Sequence, residues 1–234
     1  MVAFSGAHVV VTGGTGALGS AVVGALRQAG AVCHVTNLVA GELDHFAHKS
    51  DPGVHVTSGL NLSDEAAVTR FYAGLPPLWA SIHIAGGFAM SPIADTSASD
   101  FEAQLRMNAV SCFLCSREAV KAIRAVGKGG RIVNIAARPG IEPRHGAGMV
   151  AYAASKGAVA TMTQALAEEL AGEEIWVNAV APSILDTPAN RAAMPDAPHH
   201  RWVAPAAIAE LIVFLASPDN RVTRGAVVPV YSGV

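Results

Sequence analysis

The sequence predicts an α/β chain folded as one doubly wound domain, with a seven-stranded, mostly parallel sheet carrying helices on both faces. Three observations lead there. Short β-branched runs alternate with stretches of helical spacing from end to end. A glycine-rich turn closes the first run, and no repeat, low-complexity tract or Pro/Ser-rich linker divides the 234 residues. Parallel neighbours need long crossovers that cover both faces of a sheet, and the alternation supplies them.

The elements follow in order. His8 to Val11 is the first strand, ended by the glycine-rich Thr12 to Gly19, and Ser20 to Gly30 places Val22, Val23, Leu26 and Ala29 on one helical stripe. Further strands are expected at Val32 to Val35, Val54 to Val56, Ser81 to Ala85, Arg131 to Ile135, Ile175 to Val180 and Ala226 to Val230. Helices are expected at Asp64 to Gly74, Ser99 to Val126, Tyr152 to Ala171 and Pro205 to Ala216. The Pro-rich stretch 182–205 reads as a loop after the sixth strand, and loops of that length are usually functional, so it is expected to be a substrate lid. The single domain is expected to span 1–234.

Composition excludes several classes. Hydrophobic residues make up 51% and charged residues 15%, against an ordinary charged share of about 25%, which rules out disorder. A surface so lean in charge suggests burial against other subunits, so the chain is expected to be oligomeric. With 16 basic and 18 acidic residues there is no clustered basic footprint for nucleic acid or an anionic membrane. No run approaches the roughly 18 apolar residues of a membrane span, and the first residues lack the pattern of a signal peptide. Three cysteines, an odd number, fit a reducing compartment, so the chain is expected to be cytoplasmic. Cys112 and Cys115 have redox-motif spacing but read as small core residues, and no spacing of His, Cys and Asp suggests a metal site.

Chemistry enters at the glycine turn. Gly14-Thr-Gly16-Ala-Leu-Gly19 fits G-x-G-x-x-G between a strand and a helix, where a pyrophosphate approaches backbone N–H groups at the positive helix end. The third strand runs on to Asn61 and Leu62 and the fourth into Ala85-Gly86-Gly87; ligands of doubly wound sheets lie at such carboxyl ends. Tyr152 and Lys156 stand four apart in a helical stretch and share a face. An ammonium beside a phenol stabilises the phenolate and lowers its pKa, which makes the pair a candidate acid/base. Arg138 is a candidate substrate contact because it follows the carboxyl end of the fifth strand.

The turn Thr12 to Gly19, Ala85-Gly86-Gly87, Asn108, the strand Arg131 to Ile135, Tyr152-x-x-x-Lys156 and Pro182-x-x-x-x-Thr187 together resemble the short-chain dehydrogenase/reductase family, in order and spacing. The resemblance implies NAD(P)-dependent hydride transfer on a single Rossmann domain assembled as a homodimer or homotetramer. It implies that Tyr152 is the acid/base, that Lys156 lowers its pKa and holds the nicotinamide ribose, and that Asn108 holds a proton-relay water. Cofactor contacts are then expected from Gly13, Thr15, Gly16, Ala17, Leu18 and Gly19, from Asn37, Asn61 and Leu62, and from Ala85, Gly86 and Gly87. Pro182, Leu185 and Thr187 would orient the carboxamide, and Ala137, Arg138 and Ser183 would face the substrate.

The sequence departs from that pattern at three places. Ala137 stands where the family carries its active-site serine, His83-Ile84 replaces two asparagines, and Asn61 replaces an acid. Within the family, Ala85 to Phe88, the missing serine and the stretch from Leu185 to Pro195 look most like dihydropteridine reductase and related bacterial reductases, which act on quinonoid or activated C=O and C=N groups. The alternative is a nucleotide-binding sensor or scaffold without efficient turnover. The cofactor is expected to be NAD(H) or NADP(H), leaning to NAD(H): Asn37 follows the second strand, and the next charges, Glu42 and Asp44, are acidic. Discrimination of at most about tenfold is expected, about 1.4 kcal/mol.

Overall fold

Valine-rich β1 (His8–Thr12) lies inside the sheet, paired with β2 (Val32–Asn37) on one side and β4 (Leu78–His83) on the other. The computed structural model describes residues 4–233, so the expected domain limits at 1–3 and 234 lie outside the described residues. With β3 (Val54–Ser58), β5 (Gly130–Ile135), β6 (Ile175–Pro182) and β7 (Val227–Val230), the order is β3-β2-β1-β4-β5-β6-β7. Every pairing is parallel, so the expected mostly parallel sheet is wholly parallel.

The helices are α1 (Ala17–Gln28), α2 (Glu65–Ala73), α3 (Ala98–Gln104), α4 (Ser111–Val126), α5 (Arg138–Ile141), α6 (Val150–Glu169), α7 (Pro188–Ala193) and α8 (Pro205–Ala216). Successive strand residues point to opposite faces. Val9 and Val11 accordingly join the core beneath α1 and α8, whereas Val10 joins the one beneath α2 and α4. Burial on both faces explains why the strands read as continuous apolar runs.

Two segments differ from the sequence reading. The helix expected over 99–126 is α3 and α4 joined by a π-helical turn, Leu105–Val110, that contains buried Asn108; such one-turn bulges recur at functional sites. The stretch 182–205, expected to be a loop, contains α7 and a 3₁₀ turn, His199–Arg201. Thr187 caps α7 by accepting from Asn190 N at 3.2 Å, and Pro188 occupies the first turn, where its missing N–H costs nothing. Among the described residues no helix is long and apolar enough to cross a membrane.

His83 is buried in a polar network behind the site. Its Nδ1 donates to Asn134 Oδ1 (2.8 Å), leaving Nε2 to accept from Ser81 Oγ (2.9 Å), and Asn134 passes the chain on to Thr163 Oγ1 (2.9 Å). Burial pushes the His83 pKa down to about 4. His34, stacked between His8 and His55, is also pushed down to about 4, first by burial and then by its two neighbours. Both imidazoles are neutral when folded, so their stabilisation is complete above about pH 6.5 and is lost as the pH falls toward 4. For His83 the loss is on the order of 3 kcal/mol. Urea titrations at about pH 7 and pH 5 are expected to show a marked drop in midpoint that His83→Asn diminishes.

Candidate active site

Strand order reverses between β1 and β4, and the crevice beyond their carboxyl ends is where a doubly wound sheet takes its ligand. A cavity of about 290 Å³ opens there, lined among others by Gly13, Asn37, Glu42, Asn61, Leu62, Ala85 and Gly86. A wider, shallower groove of about 490 Å³ lies between His34, Thr57 and the Arg70–Phe71 side of α2, away from Tyr152 and Lys156.

The glycine turn is built by close approach. Gly13 has φ +63°, and a Cβ there would lie 2.9 Å from the Ala85 backbone, so the turn sits against the end of β4. A Cβ at Gly19 would lie 2.2 Å from Gly13 O, so the first turn of α1 packs directly on the loop. Gly16 is the N-cap of α1 and no side chain caps the helix. The N–H groups of Ala17, Leu18 and Gly19 therefore point out of the helix start with its positive end, an arrangement suited to phosphate.

At the other end of the crevice, Thr36 Oγ1 and Asn37 Oδ1 are buried without a hydrogen-bond partner. An unpaired hydroxyl and an unpaired amide oxygen in a cavity wall call for partners that a ligand supplies, and a nucleoside ribose carries hydroxyls that donate and accept. The residues thus fit a dinucleotide. The Asn37 amide nitrogen donates to Val39 O (2.8 Å), and the Thr15 hydroxyl donates to the Glu42 carboxylate.

The remaining groups converge on Gly86. A Cβ there would lie 2.5 Å from Asn108 Oδ1 and 3.4 Å from Lys156 Nζ, so only glycine lets the end of β4 rest on both side chains. Asn108 accepts from Gly87 N and donates to Gly87 O and Ser155 Oγ, each at 3.0 Å; Ser155 Oγ in turn donates to Tyr152 O (2.8 Å). The π-turn thereby fastens the β4 loop to the start of α6, with the Asn108 side chain as brace. Tyr152 lies in the first turn of α6, its ring edge-to-face with Phe88 at 4.9 Å.

Lys156 Nζ donates to Ile135 O (2.8 Å), and burial pushes the Tyr152 phenol up to about 12 and the Lys156 ammonium down to about 8.

Ala137 is buried and precedes α5, whose Gly140 packs against the α6 backbone at Lys156, 2.6 Å from a Cβ placed there. The Arg138 guanidinium is held by Glu142 Oε2 (2.9 Å) and His145 Nε2 (3.2 Å) and lies over the Tyr231 ring. Pro182 ends β6 beside Val230, Ser183 N donates to Val230 O (3.1 Å), and Leu185 O accepts from Asn190 Nδ2 (2.8 Å). Pro182, Leu185 and Thr187 thus frame the entry to α7 and lie outside the 290 Å³ cavity lining. Sequence reasoning gave no site role to Thr36, Phe88 or Ser155. Ser155 carried a usable signal, a polar residue three after Tyr152 and so on the same helical face.

The model of the short chain dehydrogenase family matches residues 7–198. Galactitol 2-dehydrogenase of Rhizobium johnstonii is 31% identical over 97% of this chain and 95% of its own, and bovine L-xylulose reductase 27% identical over 98% and 96%. A solved structure described as ElxO with NADP bound superposes with a TM-score of 0.87 at 23% identity, covering 97% of this chain and 98% of that one. With its wholly parallel sheet, glycine turn and Tyr152/Lys156 pair, the chain belongs to the short-chain dehydrogenase family of NAD(P)-dependent oxidoreductases.

Proposed function

We propose that the protein reduces an activated carbonyl, imine or quinonoid group, with Tyr152 delivering the proton. The observation that carries this reading is the meeting of Gly86, Asn108 and Lys156 at the end of β4, one helical turn from the Tyr152 phenol. A bound nicotinamide supplies the hydride. Tyr152, with its pKa raised to about 12, keeps its proton through the neutral range and holds it for the substrate heteroatom. Lys156 would hold the ribose, and Asn108 and Ser155 fix the α6 start on which the phenol rides.

Ala137 offers no hydroxyl to a substrate oxygen, which favours substrates already activated toward hydride. Phe88 against Tyr152, with Met90 exposed nearby, forms an apolar platform suited to a planar ring. Both features support the likeness to dihydropteridine reductases over the sugar and polyol substrates named for the two relatives. The segment 182–205 is assigned as the lid over that platform. Exposed Phe101 on α3, Met107 on the π-turn and Phe113 on α4 support self-association as a dimer or tetramer. The cofactor reading leans to NAD(H), because no lysine or arginine is among the described residues lining the crevice.

Oxidation of NADH and NADPH across a panel of quinonoid pterins, quinones and ketones tests the reading, run alongside Ala137→Ser. Quinonoid turnover is expected to change by no more than about twofold in the variant, because a new donor helps only where an alkoxide develops. A gain of about tenfold or more on a ketone would point to a ketone enzyme instead. Dinucleotide binding with no turnover on any member would favour the sensor alternative.

A further inference from the structure

We propose that Glu42, rather than the residue at the end of β2, sets the choice of dinucleotide, so that the crevice takes a nucleotide with a free ribose 2′-hydroxyl and rejects its 2′-phosphorylated form. This rests on the dinucleotide-binding reading above. In doubly wound folds the ribose selector is an acid about 20 residues beyond the glycine motif, at the end of the second strand. Here that position is Asn37, and its side chain is turned to another task. The amide nitrogen donates to Val39 O (2.8 Å), and Glu42 N donates to the same carbonyl (3.1 Å). One carbonyl gathers both ends of the turn and starts the 3₁₀ segment Ala40–His45, in which Glu42 lies in the first turn.

The turn carries the Glu42 carboxylate back to the glycine loop, where the Thr15 hydroxyl donates to it across 27 residues of sequence. Glu42 therefore stands between the glycine turn and the end of β2 and lines the crevice. Its neighbours there are two buried polar groups without partners, the Thr36 hydroxyl and the Asn37 amide oxygen. A carboxylate, an amide oxygen and a hydroxyl suit the O–H groups of a ribose, which both donate and accept. A phosphate dianion in the same place would meet a like charge and the Asn37 amide oxygen, with no lysine or arginine among the described lining residues to offset it.

The test measures dissociation constants of NADH and NADPH, by titration calorimetry or quenching of protein fluorescence, for the native chain, Glu42→Gln and Glu42→Arg; turnover is not read. The native chain is expected to bind NADH at least about 100-fold more tightly than NADPH, above the roughly tenfold limit read from the sequence, because the Glu42 carboxylate lines the crevice. Glu42→Gln is expected to move the two affinities in opposite directions, NADH weaker by about fivefold and NADPH tighter by about tenfold, with Glu42→Arg going further the same way. A merely structural role for the turn would weaken both. A native preference below about tenfold, or variants that shift both affinities together, would overturn the assignment. Discrimination lost with binding intact removes this assignment alone; failure to bind either dinucleotide removes the oxidoreductase reading with it.

Discussion

Tyr152→Phe is expected to lower turnover by about 100-fold or more while the dinucleotide dissociation constant stays within about twofold, read by steady-state kinetics and by titration. The substitution removes one oxygen and keeps the ring, so the edge-to-face contact with Phe88 survives. The start of α6 is fastened through the Tyr152 backbone carbonyl, which the variant retains. Retained turnover would remove the phenol from the mechanism. The two neighbouring pKa values add a pH signature. Tyr152 stays protonated up to about 12, whereas Lys156 loses its proton above about 8. The value of kcat/KM for reduction is expected to be level below about pH 8 and to fall above it, because the ammonium is then lost while the phenol keeps its proton.

Gly19→Ala is expected to weaken dinucleotide binding by more than about 100-fold and to destabilise the fold by about 2 kcal/mol, within the range for an overpacked site. The added methyl would stand 2.2 Å from Gly13 O and 2.6 Å from Gly14 Cα, both backbone atoms with no rotamer to yield. Relief requires the glycine loop to lift off α1, which displaces the amides offered to phosphate. Gly172→Ala, where a Cβ meets nothing within 4 Å, is the control, and its melting temperature should stay near the native value. A Gly19→Ala protein that binds normally would show that the turn tolerates displacement.

Strand placement was legible because burial on both faces leaves each strand an uninterrupted apolar run, and the expected seven match the observed ones to within a few residues. The glycine turn was legible because its spacing is local. The π-turn at Asn108 was not, since one extra residue within a long amphipathic stretch hardly disturbs its periodicity. The Lys156 anchor was hidden for a related reason: helical spacing places Lys156 on the Tyr152 face but does not say that its ammonium reaches Ile135 O. The α7 start could have been read from Thr187-Pro188, a cap followed by an N1 proline. The Thr15–Glu42 contact depends on how the turn after β2 folds back, which no short window contains.

The placement of β1 beside β4 bears on how the chain matures on the ribosome. The first strand made is an inner one, and its Thr12 pairs with His83, so one of its edges waits for about 70 further residues to emerge. By the time the π-turn has been synthesised, the ends of β1, β2 and β4 that wall the nucleotide crevice are all present, whereas the strand that anchors Lys156 and the helix that bears Tyr152 are still to come. Vectorial synthesis thus delivers the half that carries the glycine turn before the half that carries Tyr152 and Lys156, and the nascent intermediate has β4 as a temporary open edge until β5 covers it.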